Sequence, residues 1–264
     1  MNHLESNNIK EIRRVFKEKL LKKGIVLPGA YNALTAKQIQ KNGFEGVYIS
    51  GAALSASAGL PDIGLLTLSE FTFFIKYITN AVNLPCIADA DTGFGEVINV
   101  RRTVQEYENT GLSGMHIEDQ VMPKRCGHLA GKKLISSEEM IQKIKTACLS
   151  RTDENFLIIA RTDARSVESF EDAVNRAKAY KEAGADVIFP EALKSKEEFE
   201  EFAKQVDVPL LANMTEFGIS PLLTVKELIS LGYKMIIFPV TALRVTMKNT
   251  DLLYQEIKQN GTQK

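Results

Sequence analysis

"FLIIARTDARSVESFEDAVNRAKAYKEAGADVIFPEA", residues 156–192, places two apolar, β-rich runs on either side of an amphipathic stretch. In FLIIAR (156–161) and DVIFPEA (186–192) the apolar residues are nearly continuous, as in strands buried on both faces. Between them Phe170, Val174, Ala177 and Tyr180 fall about one helical turn apart, and Gly184 follows as a C-cap. Strand, helix and strand in this order imply parallel neighbours with a helix lying over them.

The same alternation runs along the chain. IVLPG (25–29), GVYIS (46–50), PCIADAD (85–91), GMHIED (114–119), VPLLANM (208–214) and KMIIFP (234–239) bring the strand candidates to eight, and TVKELISLG (224–232) is another helix that closes on glycine. Eight such units in 264 residues predict an α/β fold of the closed (β/α)8 TIM-barrel type, whose usual length is about 250 residues. An open doubly wound sheet is the alternative. Against it, no GxGxxG follows the first strand, and GFG at 93–95 comes after the third and lacks the last glycine. With no composition break, residues 1–264 are expected to form a single barrel domain.

Lys plus Arg equals Asp plus Glu at 33 each, so no global field draws in nucleic acid or an anionic membrane, and the expected partner is small or local. The amino-terminal stretch MNHLESNNIKEIRRVFKEKLLKKG is charged and helix-like without the apolar centre of a signal peptide, and no run approaches the roughly 20 apolar residues of a membrane span. A cytoplasmic protein is expected. Cys86, Cys126 and Cys148 are few, odd in number and widely spaced, which suits free thiols in a reducing compartment.

Barrel enzymes carry their chemistry at the carboxyl ends of the strands. The residues there are Ser50-Gly51-Ala52, Asp89 and Asp91, Glu118 and Asp119, Arg161 and Asp163, Glu191, then Asn213, Thr215 and Glu216, with Arg244 past the eighth run. Asp89 and Asp91, two apart on a strand, would leave the same face and with Glu118 form hard oxygen ligands suited to Mg2+ or Mn2+. The competing reading makes Asp91-Thr92-Gly93 a turn with Asp91 as helix cap, and Glu118-Asp119 a solvated strand end. Arg161 and Arg244 could grip carboxylate or phosphate, or else neutralise neighbouring acids; a substrate-binding arginine should keep donors free in the empty site.

Cys126 lies beside Lys124, Arg125 and His128, whose charge is expected to lower the thiol pKa; the competing reading is an incidental surface cysteine. Cys86 and Cys148 read as inert buried thiols, and His116 as a core histidine rather than a base. Metal-binding acids, carboxylate-binding arginines and a proton-exchanging thiol converge on chemistry through an enolate-like intermediate of a carboxylic acid.

KRCGH (124–128), DADTGFG (89–95), SGAALSASAGLPDIG (50–64), ARTDA (160–164), FPEA (189–192) and LLANMTEFG (210–218) resemble, in order and from about residue 10 onward, the isocitrate lyase and phosphoenolpyruvate mutase superfamily. Within it the chain looks most like the members that cleave 2-methylisocitrate. The resemblance implies a Mg2+-dependent (or Mn2+-dependent) retro-aldol cleavage of 2-methylisocitrate to pyruvate and succinate, the methylcitrate-cycle step of propionate catabolism. It implies Asp89 and Asp91 as metal residues, with Asp62 and Glu118 acting through water. Ser50, Gly51, Ala52, Gly127, Arg161, Glu191, Asn213, Met214, Thr215 and Arg244 match substrate contacts, Cys126 matches the acid that protonates the succinate carbanion, and His128 matches a residue that tunes its loop. A homotetramer with a loop that closes over a di- or tricarboxylic acid is also implied.

Cleavage of isocitrate, 2,3-dimethylmalate or oxaloacetate is the alternative activity. Family chains continue past the point matching QEIKQNGTQK through a Met-Gln-Thr-Arg segment and a helical arm, whereas this sequence ends at Lys264. The arm and its carboxylate-binding arginine are therefore expected to be missing, and a truncated, inactive remnant is the competing expectation.

Overall fold

Each of the eight apolar runs forms a strand in the structure, a computed structural model that describes residues 3–129 and 131–264. They are β1 (Ile25–Pro28), β2 (Val47–Ile49), β3 (Cys86–Asp89), β4 (Gly114–Glu118), β5 (Leu157–Thr162), β6 (Val187–Pro190), β7 (Leu211–Asn213) and β8 (Met235–Phe238). Every residue of β2 through β6 is buried, which is why these runs are apolar without alternation.

All strand pairs are parallel, in one arc β2-β3-β4-β5-β6 and a second β1-β8-β7. Two single parallel bridges, Gly29 to Tyr48 and Ile188 to Leu210, join the arcs. At the first seam Ala30 N–H donates to Tyr48 O over 2.8 Å, and at the second Ile188 N–H donates to Pro209 O over 3.0 Å. The strands therefore follow one another round a ring, and the open sheet, which would leave two unpaired edges, is not what forms. Glycine at 29 permits the tight seam, since a Cβ there would stand 2.1 Å from Pro239 O.

The helices are α1 (His3–Lys22), α2 (Ala33–Lys41), α3 (Gly51–Ser57), α4 (Leu68–Thr79), α5 (Val97–Asn109), α6 (Ser137–Ser150), α7 (Ala164–Val167), α8 (Phe170–Glu182), α9 (Lys196–Gln205), α10 (Val225–Ser230) and α11 (Thr241–Asn260). The amphipathic stretch expected to be one helix between β5 and β6 is broken: Ser169 accepts from Asp172 N–H and caps α8, leaving α7 as a separate turn. Ala173, Val174, Ala177 and Tyr180 are its buried face, against the outside of the sheet.

Inside the ring, Leu27, Tyr48, Ile87, Leu157, Ile159, Phe189, Leu211, Met235 and Ile237 pack together with Phe16 and Leu20 from α1. Thus α1 closes the end of the barrel opposite the site. Arg13 fixes it there, donating to Leu112 O at 2.7 Å and Glu108 O at 2.8 Å and pairing with Glu108 and Asp153 at 3.5 and 3.2 Å, all buried. Replacing Arg13 with methionine strands two buried carboxylates, so urea unfolding should show a loss of about 3–5 kcal/mol; a loss under about 1 kcal/mol would mean that α1 is not held by this cluster.

Candidate active site

The polar mouth begins where β3 ends. Asp91 lies just past the strand at φ 45°, so it does not project from the same strand face as Asp89. Instead the two are knit together: Asp89 Oδ1 accepts from Asp91 N–H at 2.9 Å, and Oδ2 accepts from Gly51 N–H at 3.1 Å. A Cβ on residue 51 would stand 2.7 Å from that oxygen, so the close approach needs glycine. Asp91 is not a helix cap either, because α5 starts only at Val97 behind Glu96. Ser50 spends its hydroxyl capping α3, accepting from Ala53 N–H at 3.4 Å.

His116, buried on β4, has Nδ1 3.0 Å from the Tyr48 hydroxyl and Nε2 3.1 Å from Asp89 Oδ1, the latter without hydrogen-bond alignment. Burial would raise the Asp89 pKa, yet adjacent His116, with Lys124 and Arg161 beyond, holds the carboxyl far below its ordinary range. Asp91 and Glu118 go the other way: burial pushes both up, opposed by Lys124 at Asp91 and by Arg161 and Lys124 at Glu118.

Lys124, which sequence reading assigned only as a neighbour of the thiol, turns inward instead. Its ammonium contacts Asp62 Oδ1 and lies 2.9 Å from Asp91 Oδ1. The expected lowering of the Cys126 pKa accordingly does not occur. Burial raises the thiol above its usual range, and the His128 backbone N–H and distant Arg161 offset it only in part. Cys86, fully buried in β3, is pushed up to about 12, and Cys148, half-buried beside Gly184, is also raised.

The two arginines separate. Arg161 forks onto Asp163 through Nε at 2.9 Å and Nη2 at 3.2 Å, while Nη1 faces Glu118 at 3.2 Å and Glu191 at 3.5 Å. It is engaged by three carboxylates, the neutralising role rather than the free one. Arg244 uses only Nη1, toward Thr215 Oγ1, Glu216 O and Glu216 Oε2 at 3.2, 2.7 and 2.6 Å; among the described residues its Nε and Nη2 have no partner. Asn213 donates to Glu191 Oε2 at 3.2 Å. Met214 is not a lining residue, because its side chain is buried in the outer core.

The segment between β4 and α6 lies shut across this mouth. Gln120 and Arg125 exchange two hydrogen bonds of 2.8 and 2.9 Å that pin its turn. Lys124 enters the acids, and Gly127 sits so close to Arg161 and Glu191 that a Cβ would stand 2.4 Å from each. His128 Nδ1 accepts from Ile219 N–H at 3.0 Å, and Nε2 is 3.2 Å from Glu191 Oε1. Beneath remains a cavity of about 80 Å³, lined among others by Tyr48, Ser50, Ala52, Asp62, Asp89, Cys126, Arg161, Asn213, Thr215 and Arg244. Tyr48, Asp163 and Lys132 are participants that the strand-end survey left without a role. Tyr48, an inward-facing aromatic two residues before Ser50, and Asp163, a strand-end acid beside Arg161, carry sequence signals that could have found them.

The sequence profile of the phosphoenolpyruvate phosphomutase family matches residues 16–258. The chain belongs to this family. A relative from Aeropyrum pernix, named 2-methylisocitrate lyase, is 56% identical over 251 residues, 95% of this chain and 81% of its own length. A 2,3-dimethylmalate lyase of the same superfamily superposes with a TM-score of 0.92 at 36% identity, covering 96% of this chain and 86% of that one. An oxaloacetate acetylhydrolase solved with 3,3-difluorooxalacetate gives 0.93 at 34% identity, covering 96% and 88%.

A family member with this electrostatic arrangement should show a sluggish Cys126. Because burial favours the neutral thiol, alkylation of Cys126 in the ligand-free protein is expected to rise with pH through a midpoint above the roughly 8.5 of a free cysteine. Mass-spectrometric readout of the site against pH checks this, and a midpoint below that value would contradict the buried, unassisted thiol.

Proposed function

We propose that the chain is a Mg2+-dependent carbon–carbon lyase that cleaves 2-methylisocitrate to pyruvate and succinate in propionate catabolism, as a cytoplasmic homo-oligomer. The observation that carries this reading is the closed KRCGH segment, which brings Cys126 into the same small cavity as Asp89 and Arg244.

The donor set fits a hard cation. Glu118 Oε1 is a buried carboxylate oxygen without a hydrogen-bond partner among the described residues, and Asp91 Oδ1, also buried, faces the Lys124 ammonium at 2.9 Å. Mg2+ is commonly bound through one or two carboxylates while it keeps several waters. Asp89 and Asp91 would hold it, with Asp62 and Glu118 acting through water, and Mn2+ could substitute. Bound there, the ion would polarise the oxygens of a 2-hydroxy acid and spread the charge that develops as the carbon–carbon bond breaks.

The chain's own groups do the rest. Arg244, with free donors, grips a substrate carboxylate; Asn213 and Thr215 flank it, and Ser50 to Ala52 supply the turn beneath. Arg161 holds Glu118, Glu191 and Asp163 in place behind the substrate. The shut segment excludes water before a carbanion forms. The substrate's hydroxyl gives up its proton to solvent as its oxygen forms the pyruvate carbonyl and the carbon–carbon bond breaks; Cys126 protonates the succinate carbon, its S–H bond breaking as the C–H bond forms, and recovers a proton from solvent when the segment opens. A thiol pKa raised by burial keeps that proton in place at neutral pH, as an acid requires.

The homo-oligomer is supported by α11, which buries none of its residues although it carries Leu252, Leu253, Tyr254 and Ile257. No helix among the described residues is long and apolar enough to cross a membrane.

Purified protein should release pyruvate and succinate from 2-methylisocitrate with Mg2+ and lose that activity in EDTA. Isocitrate, 2,3-dimethylmalate and oxaloacetate run alongside because one methyl group is worth only about 1–3 kcal/mol of discrimination. Full turnover in EDTA would refute the metal, and faster turnover of another acid would reassign the substrate. Cys126→Ser should lower kcat by about 10²- to 10⁴-fold, the usual contribution of a placed acid; unchanged kcat would remove the thiol from its role.

A further inference from the structure

Lys132 is buried and lies outside every role assigned above. Its ammonium donates to two acceptors, the backbone carbonyl of Gly127 and Asp163 Oδ1, the latter at 2.7 Å. Asp163, completely buried, is the carboxylate on which Arg161 forks, and its backbone N–H donates to Asp119 Oδ1 at 2.9 Å. Asp119 is itself held by the Tyr180 hydroxyl at 2.8 Å, so the anchor reaches from the strand ends into α8. A continuous polar chain thus runs from the barrel through Asp163 and Lys132 to the Gly127–His128 peptide, one residue beyond Cys126.

We propose that Lys132 is a positioning residue for the Cys126 thiol: it latches the Gly127 carbonyl to Asp163 and so sets the depth at which the thiol enters the cavity. This rests on the reading of Cys126 as the proton donor. Three features favour a latch over a merely structural ion pair. Asp163 already has a bidentate partner in Arg161, so its charge is answered without Lys132. Lys132 and Gly127 both belong to the covering segment, so the bridge from the Gly127 carbonyl through Lys132 to Asp163 on the barrel is complete only while that segment is shut. Finally, Gly127 has no side chain with which to anchor itself, and none would fit, as a Cβ would stand 2.4 Å from Arg161 Nη2. Residue 127 itself can therefore be held only through its backbone.

The test pairs kinetics with a chemical probe of the thiol. Lys132→Met should lower kcat on 2-methylisocitrate about 30- to 100-fold and change KM less than threefold, because the cation and carboxylate contacts lie on other elements; effects of this size follow small misplacement of a reacting group. In the same variant, iodoacetamide should alkylate Cys126 at least tenfold faster than in the wild type, while half-buried Cys148 reacts at its usual rate and serves as the internal control. Lys132→Gln, which keeps an N–H donor without the charge, should fall between the two and carries the same measurement if the methionine variant does not fold. A kcat loss without faster alkylation of Cys126, or equal acceleration at Cys126 and Cys148, would overturn the latch. If the wild type turns over none of the four acids, the lyase reading fails by itself, and faster alkylation confined to Cys126 still supports the latch.

Discussion

Like charge packed into one buried rim constrains everything at the carboxyl end of this barrel. Asp89, Asp91, Glu118, Asp163 and Glu191 are all nearly or fully buried. Each ionised carboxylate taken out of water costs several kcal/mol unless a cation and hydrogen bonds answer it. Arg161, rooted in β5, answers three of the five. The segment between β4 and α6 adds Lys124 to Asp91 and a second cation, Lys132, to the already paired Asp163. Electrostatics therefore favours the shut segment, which sets the Lys124 ammonium against Asp91.

That division of charge explains the character of the thiol. Lys124 stands only two residues from Cys126, yet its ammonium lies among the acids, and burial then decides the cysteine in favour of its neutral form. A neutral, shielded thiol is suited to giving a proton and poorly suited to nucleophilic attack. The same logic separates Arg161 from Arg244. The first lies inside the acid cluster with its donors facing carboxylates; the second, past β8 and over the Phe217 ring at 5.2 Å, retains free donors at the edge of the cavity. Two arginines equal in composition thus do unequal work because of what surrounds them.

The path of the backbone shows a matching contrast. Eight strands were legible because burial on both faces demands uninterrupted apolar runs, and the glycine-terminated amphipathic stretches between them fit only parallel connections. The break between α7 and α8 was not legible, since the apolar period runs through it and only the hydroxyl of Ser169 stops the helix. Nor was the position of Asp91, whose left-handed backbone past the end of β3 removes it from the strand face that simple alternation assigns.

What could be read along the chain was whatever depends on neighbours in sequence: strand and helix periods, the residue types that end each strand, and the association of Lys124, Cys126, Gly127 and His128 in one loop. Ring closure could not be read there, because it rests on two single bridges between segments distant in sequence and on the room that Gly29 leaves beside Pro239. Tertiary structure alone also decided protonation tendencies and allegiances, namely which acid Lys124 meets, that Lys132 reaches Asp163, and that Met214 faces the core. The physical reason is range: pattern and propensity act over a few residues, whereas the free energy of a buried charge is set by every group within several ångströms, whatever its place in the chain.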